Sequence, residues 1–222
     1  MRHLELFSGI GGFRRAIDLV GQDNHVPVEC VGYSEIEPKA VLTYKTNYNT
    51  EGEVEIGDIV SFTATIDNII KLPAFDLLTG GFPCQTFSMM GGMAGFEEDR
   101  GQMFFRIMDI VKIKHPRYIL LENVKNLTTH DKGNTLRRIL KELTTEGYVV
   151  HHDVFNTSSF GLPQVRNRTL IFAMRSECGD FDFNCNVVSE HFAKIKKSDC
   201  ALSFYDSTIE VLGREVPAKY YL

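Results

Sequence analysis

The sequence has few of the features that build metal centres, disulfide frameworks and membrane spans. Its five cysteines form no C-x-x-C pair, and its only adjacent histidines, His151 and His152, would point to opposite faces of a strand. We therefore expect neither a disulfide framework nor a metal site. No apolar run approaches the ~20 residues of a membrane span, and the N-terminus becomes charged too early for a signal peptide. These absences predict a cytoplasmic protein without a membrane partner.

The length, composition and charge of the chain indicate which kind of protein it is. The 222 residues are 43% hydrophobic and 24% charged, which is typical of a soluble globular domain. The net charge of −5 argues mildly against a nucleic-acid partner, because phosphate binding favours a basic face. The distribution of charge matters more than its total, so the objection is not decisive.

Strand-like apolar runs alternate with amphipathic helix-like runs along most of the chain. This alternation predicts an α/β fold, in which a mostly parallel sheet carries helices on both faces. Beyond Arg175 the pattern weakens and becomes acidic, and it predicts no element. The predicted strands are 3–7, 29–35, 54–56, 75–79, 118–121, 149–155 and 170–174; the predicted helices are 12–20, 38–48, 102–114 and 135–145.

A single thiol, Cys84, follows Pro83 just past the predicted strand 75–79 and two glycines. Ligands bind at the carboxyl ends of strands in open α/β sheets. A thiolate presented there is a candidate nucleophile. The alternative is a buried structural cysteine, which is the commoner role of an isolated Cys. Segment 90–96, rich in glycine, follows and reads either as a mobile lid or as an ordinary flexible loop.

Three further segments indicate a nucleoside pocket. Gly9, Gly11 and Gly12 lie where the first strand turns into a helix, and glycines there let the backbone approach a ligand closely. The turn lacks the third glycine of the dinucleotide fingerprint and the Lys-Ser/Thr of a P-loop. Glu35 closes the second strand, where an acid commonly holds ribose hydroxyls. Asp58 closes the third and could accept from an adenine amine, although it could equally cap a helix.

Charged residues at two later strand ends complete the pattern. Glu122 follows an apolar strand, where burial would favour the protonated carboxyl and suit a general acid. The alternative is a salt-bridged structural glutamate. Arg166 and Arg168 share a side if extended, and their guanidinium groups suit a phosphate or a base carbonyl oxygen. Alone they would read as a solvated charge pair.

In this order the segments resemble the signatures of the DNA (cytosine-5)-methyltransferase family. The resemblance covers about residues 4–174, and several motifs in order are far more specific than any one of them. The matching segments are 7–12 (Phe-Ser-Gly-Ile-Gly-Gly), Glu35, 57–59 (Gly-Asp-Ile), 81–85 (Gly-Phe-Pro-Cys-Gln), 100–101 (Arg-Gly), 122–124 (Glu-Asn-Val) and Gln164-x-Arg166-x-Arg168.

The resemblance implies a Rossmann-like fold, S-adenosylmethionine as cofactor, S-adenosylhomocysteine as product and double-stranded DNA as substrate. It implies that Cys84 attacks C6 of a flipped cytosine, that Glu122 contacts N3, and that Arg168 holds O2 with Arg166 close by. It also implies a bacterial or phage source. The residues that it places around the cofactor are Phe7, Gly9, Ile10, Gly11, Gly12, Glu35, Ile36, Asp58, Ile59, Pro83 and Met103.

The family usually continues into a target-recognition domain and a returning C-terminal segment. On this basis we expect a catalytic domain at 1–175 and, at 176–222, a tail leading toward an absent recognition domain, with a second chain supplying that domain. A truncated remnant and a reduced enzyme with an unusual substrate are the alternatives. For function, the alternatives are methylation of tRNA cytosine and a non-catalytic cofactor-binding or regulatory module. A generic nucleotide-binding fold explains less, since it leaves the segment around Cys84 to chance.

Overall fold

The structure is a computed structural model that describes residues 1–83, 103–160, 164–180 and 183–199, with side chains up to residue 192. Cys84, the glycine-rich segment 90–96 and the Arg-Gly pair 100–101 lie outside the described residues. Within the described ranges, no helix is both long and apolar enough to cross a bilayer.

Seven strands form one sheet in the order β3-β2-β1-β4-β5-β7-β6. The first five in this order pair in parallel, and β7 runs antiparallel to both of its neighbours. The prediction of a mostly parallel sheet is confirmed. The strands are β1 (Arg2–Leu6), β2 (Glu29–Ser34), β3 (Val54–Glu55), β4 (Leu77–Gly81), β5 (Tyr118–Val124), β6 (Tyr148–Asn156) and β7 (Asn167–Arg175).

Helices cover both faces of the sheet. The alternation within β1 shows this, because Leu4 and Leu6 pack into a core shared with α3 to α6, whereas Glu5 faces α1 and α2. The helices are α1 (Gly12–Asp23), α2 (Pro38–Asn47), α3 (Ile59–Thr63), α4 (Ile66–Lys71), α5 (Met103–Lys114), α6 (Asn134–Thr145) and α7 (Cys185–Asp199).

The order of the strands in the sheet indicates where a ligand would bind. After β1, the chain adds β2 and β3 on one side, and β4 then pairs with the other side of β1. The carboxyl ends of β1 and β4 therefore flank the point where the winding direction changes, which is where open α/β sheets bind ligands. The turn after β1 and the segment leading to Cys84 leave the sheet at this point.

Several predicted boundaries were wrong at the sheet's carboxyl edge. β5 continues to Val124 because its pairing with β7 runs on to Arg168, so Glu122 lies within a strand and not after it. β7 starts at Asn167, which places Arg168 inside the sheet and Arg166 before it. β3 ends at Glu55, so Asp58 does not close that strand. Helices α3, α4 and α7 were not predicted.

Candidate active site

The turn between β1 and α1 uses its glycines in two ways. Gly9 and Gly11 have positive φ, at 55° and 91°, which favours glycine. A Cβ on Gly11 would lie 2.2 Å from the Tyr48 ring, whereas one on Gly9 or Gly12 would meet no atom within 4 Å. Gly11 is therefore required by packing. Gly9 and Gly12 face open space, and their contact with a cofactor stays a prediction.

Glu35 reaches this turn from the end of β2. Its Oε2 accepts the Gly9 N–H at 2.8 Å, and its Oε1 accepts from the backbone of Ile36 and Glu37 at 2.8 and 2.9 Å. The structure thus joins two of the predicted cofactor residues directly. A carboxylate has about four acceptor sites, so one site on Oε2 is left for a hydroxyl donor.

Asp58 plays the helix-capping part that the sequence left open. It precedes α3, and its carboxylate accepts the Val60 and Ser61 N–H groups at 3.1 Å each. The Ser61 hydroxyl also donates to it, and this bond lowers the pKa of Asp58 below its ordinary value. The next residue, Ile59, is buried in the core at 2% exposure, so its side chain presents no surface to a ligand.

The remaining predicted cofactor residues are spread along the same edge. Ile10 and Ile36 are exposed apolar side chains, at 61% and 71%. Phe7 has a strained φ of 54°, and its ring lies 3.6 Å from where Gly80 would carry a Cβ. Pro83 is exposed, and Met103 packs partly against the core at the start of α5.

Glu122 and Arg168 form an ion pair between β5 and β7. Arg168 Nε lies 2.6 Å from Glu122 Oε1, and both side chains are 26% exposed. The burial expected for Glu122 is therefore only partial, and the salt bridge given as its alternative is present. Arg168 also donates to the Asn167 carbonyl at 2.9 Å. Its guanidinium has five N–H groups, so further donors are left for a ligand.

One cavity brings together the predicted catalytic side chains that the structure describes. Its volume is about 370 Å³, and its walls are otherwise mainly apolar. Arg166 enters it from outside the sheet, where its backbone exchanges hydrogen bonds with Thr157. Apolar walls of this kind suit the faces of a flat ring. The lining residues are Phe13, Leu120, Glu122, Phe155, Thr157, Phe160, Arg166, Arg168, Leu170, Phe183 and Val188.

The segment that leads to Cys84 starts beside this pair. Gly81 lies opposite Glu122 in the β4–β5 register, and a Cβ on Gly81 would lie 3.3 Å from Glu122 Oε2. Asn123, buried at 2% exposure, donates from Nδ2 to the Phe82 carbonyl at 2.9 Å. Asn123 belongs to the 122–124 motif, in which no role was predicted for it; the structure shows that its side chain anchors the backbone two residues before Cys84.

A buried polar cluster beneath the glycine turn was also missed. Glu5, fully buried on β1, accepts the Arg14 N–H at 3.2 Å and the Tyr44 hydroxyl at 3.1 Å. Burial raises the pKa of Glu5 to about 7 and lowers that of His3, on the same strand, to about 3. In the predicted strand 3–7, two ionisable residues that alternate with apolar ones were the available signal. Among the described residues, no group of three or more potential ligands could hold a metal ion.

Comparison with known proteins places these motifs in one family. The family model for C-5 cytosine-specific DNA methylase matches residues 1–214. An orphan methyltransferase, M.Rho11sI of Bacillus phage rho11s, is 37% identical over 100% of this chain and 45% of its own length. The type II methyltransferase M.BanI of Aneurinibacillus aneurinilyticus is 35% identical, over 100% and 50%. The chain thus spans about half the length of the curated relatives it matches.

Solved structures agree on the fold. The Dnmt2 methyltransferase of S. pombe superposes with a TM-score of 0.66 at 23% identity, over 91% of this chain and 57% of its own. A putative DNA modification methyltransferase encoded within an E. coli prophage gives 0.64 at 20% identity, over 82% and 49%. With a family model that matches nearly its whole length, the chain belongs to the C-5 cytosine-specific DNA methylase family.

Proposed function

We propose that this chain is the cofactor-binding and catalytic part of an enzyme that methylates C5 of cytosine in double-stranded DNA. S-adenosylmethionine is the proposed cofactor and would supply an activated methyl group. Membership of the family supports the class of reaction. The observation that carries the proposal for this chain is the position of Glu122 and Arg168 beside the strand that leads to Cys84.

That position restricts where the thiol can lie. Cys84 follows Gly81 by three residues, and three residues span at most ~11 Å. Gly81 is packed against the Glu122 carboxylate, and Asn123 fixes the carbonyl of Phe82. The proposed chemistry needs the thiol beside a ring held in the 370 Å³ cavity, and this upper limit on its distance from Gly81 allows that position.

The proposed roles follow from the chemistry of cytosine. C5 is a poor nucleophile until a thiolate adds at C6, so Cys84 forms a bond to C6 and electron density moves toward C5 and N3. Glu122, through Oε2, holds or protonates N3, and Arg168 donates to O2. After the methyl group has joined C5, loss of the C5 proton restores the double bond and expels the thiolate. The base must leave the stack for this attack on its ring face.

The residues after β1 and β2 fit the proposed cofactor. Gly9 and Gly12 offer backbone with no side chain in the way, and Glu35 keeps one acceptor site for a ribose hydroxyl. Exposed Ile10 and Ile36 give apolar surface for a flat base. Asp58 has one oxygen with a single donor, which could still accept from an amine.

The chain spans about half the length of its relatives, and we propose that a whole enzyme also needs what the other half of such a relative carries. We propose that a second chain provides it, with residues 176–222 leading toward that part and α7 inside this segment. The division into 1–175 and 176–222 stays a prediction.

Covalent trapping tests the proposed role of Cys84. In duplex DNA with 5-fluorocytosine at candidate sites, fluorine cannot leave as a cation, so the adduct persists after methyl transfer. We expect wild-type protein, mixed with the unmatched part of a relative, to give a denaturation-resistant protein–DNA band that requires S-adenosylmethionine.

The matched controls replace other cysteines. Cys84→Ala removes the band, while Cys30→Ala and Cys178→Ala, which change free thiols elsewhere, retain it. A band that survives in Cys84→Ala would refute the assignment. Adducts on 5-fluorocytosine tRNA and not on DNA would instead support the alternative substrate.

A further inference from the structure

Tyr48, the residue after α2, contacts the glycine turn. Its hydroxyl donates to the Gly11 carbonyl at 2.7 Å, and the same carbonyl accepts the Arg15 N–H at 2.9 Å. The Tyr48 ring lies so close to the Gly11 Cα that no Cβ would fit between them. Tyr48 thus gives the Gly11 carbonyl a second donor, from outside the turn.

Arg14 also contacts the Tyr48 ring. The guanidinium carbon lies 4.5 Å from the ring centroid, which is a cation–π distance. The guanidinium is itself fixed by Glu53 at 2.7 Å, with side-chain exposures of only 11% and 6%. The Tyr48 ring is therefore in contact with both the turn and a buried ion pair.

The turn is thus restrained at two points. Glu35 accepts the N–H of Gly9, and Tyr48 donates to the carbonyl of Gly11. Between them, the Gly11 N–H donates to the Ser8 carbonyl at 2.8 Å. The side of the turn that faces open space, at Gly9 and Gly12, is where the cofactor is proposed to lie.

We propose that Tyr48 is a positioning residue for the cofactor site: its hydroxyl fixes the Gly11 carbonyl and holds the turn in the shape that binds S-adenosylmethionine. This inference rests on the proposed function. A turn held in its binding shape before the ligand arrives loses less conformational entropy on binding. The proposed role acts through the backbone of Gly11, so its effect appears in the affinity for the cofactor.

Tyr48→Phe tests this with the smallest possible change, because the ring and its contact with Arg14 remain. Loss of one hydrogen bond is expected to weaken binding by roughly threefold to tenfold. Binding of S-adenosylhomocysteine is measured by calorimetry well below the unfolding temperature, where both proteins are fully folded. Thermal unfolding of each variant is recorded alongside.

Tyr33→Phe is the matched control. Tyr33 stacks on Tyr44, which in turn packs against Tyr48, yet its hydroxyl interacts with Glu55 and Lys45 and not with the glycine turn. Tyr33→Phe removes a hydroxyl oxygen from the same group of stacked rings, and we expect it to leave the affinity for S-adenosylhomocysteine unchanged.

The outcomes separate cleanly. Weaker binding in Tyr48→Phe with wild-type affinity in Tyr33→Phe supports the proposal. Equal affinity in all three proteins overturns it even if Tyr48→Phe unfolds at a lower temperature, since Tyr48 would then serve stability alone. Absence of binding by folded wild-type protein overturns the proposed cofactor, and the positioning role with it.

Discussion

Replacement of Glu5 by Gln should change how the stability of the protein depends on pH. Glu5 is fully buried on β1, and burial raises the pKa of its carboxyl from the ordinary 4.5 to about 7. The Arg14 N–H and Tyr44 hydroxyl bonds lower it, but burial is the larger effect. Between these two pH values the folded state holds a proton that the unfolded state has released.

The sign and size of the effect follow from linkage. Stability from the protonated Glu5 is fully present below pH 4.5 and is lost as pH rises through 7, because the unfolded chain then binds fewer protons than the folded one. A shift of 2.5 units corresponds to about 3 kcal/mol in all, of which about 2.5 kcal/mol falls between pH 5 and pH 8. Gln keeps the size of the side chain and removes this loss.

His3 works in the opposite direction. Burial, followed by the nearby charge of Arg14, lowers its pKa from 6.5 to about 3. Its contribution to stability therefore rises with pH across that window, and in wild type it masks part of the Glu5 effect. Since His3 is common to both proteins, it cancels when Glu5→Gln is compared with wild type.

Urea unfolding of both proteins at pH 5 and pH 8, followed by circular dichroism, measures this difference. The free energy of unfolding of Glu5→Gln relative to wild type should rise by about 2.5 kcal/mol between the two pH values. A difference that stays constant with pH would refute the argument, because it would mean that Glu5 has the same proton affinity in the folded and unfolded chain.

Two further comparisons use paired variants. Gly11→Ala should lose at least ~1–2 kcal/mol of stability from its left-handed φ alone, and the clash with Tyr48 should add to this loss. Gly12→Ala should unfold within ~1 kcal/mol of wild type yet bind S-adenosylhomocysteine more weakly. Equal unfolding curves for the two variants would contradict the packing role of Gly11. Arg168→Ala should reduce the rate of adduct formation on 5-fluorocytosine DNA by roughly ten- to a hundredfold, because it removes the partner of Glu122. Arg166 lies on the exposed segment before β7, and Arg166→Ala should reduce that rate less. A larger loss of rate in Arg166→Ala than in Arg168→Ala would mean that Arg166, and not Arg168, is the main arginine of the site.

The sheet could be predicted from sequence because its strands are separated by helical segments. Apolar runs marked each strand, and the alternation with helices favours parallel pairing. Helices α3 and α4 were not predicted because they are only five and six residues long, which is too short to show helical periodicity. The limits of β5 and β7 were wrong for another reason: their antiparallel pairing extends both strands, and local sequence does not contain that pairing.

In the candidate site, too, individual residues could be predicted from the sequence, whereas their long-range contacts could not. Motif order identified Glu35, Glu122 and Arg168, and the structure places the latter two in one ion pair. That pair depends on the β5–β7 register, which spans 46 residues of sequence. The hydroxyl of Tyr48 and the amide of Asn123 act on the backbone of distant segments, and nothing in their local sequence indicates those partners.

Transfer of a labelled methyl group from S-adenosylmethionine to duplex DNA tests the central claim most directly. The chain is assayed with the unmatched part of one of its relatives, and the DNA is digested to nucleosides. The account predicts label in 5-methylcytosine with wild-type protein and none with Cys84→Ala. Label in DNA at equal levels with Cys84→Ala, or label in tRNA and none in DNA, would contradict it.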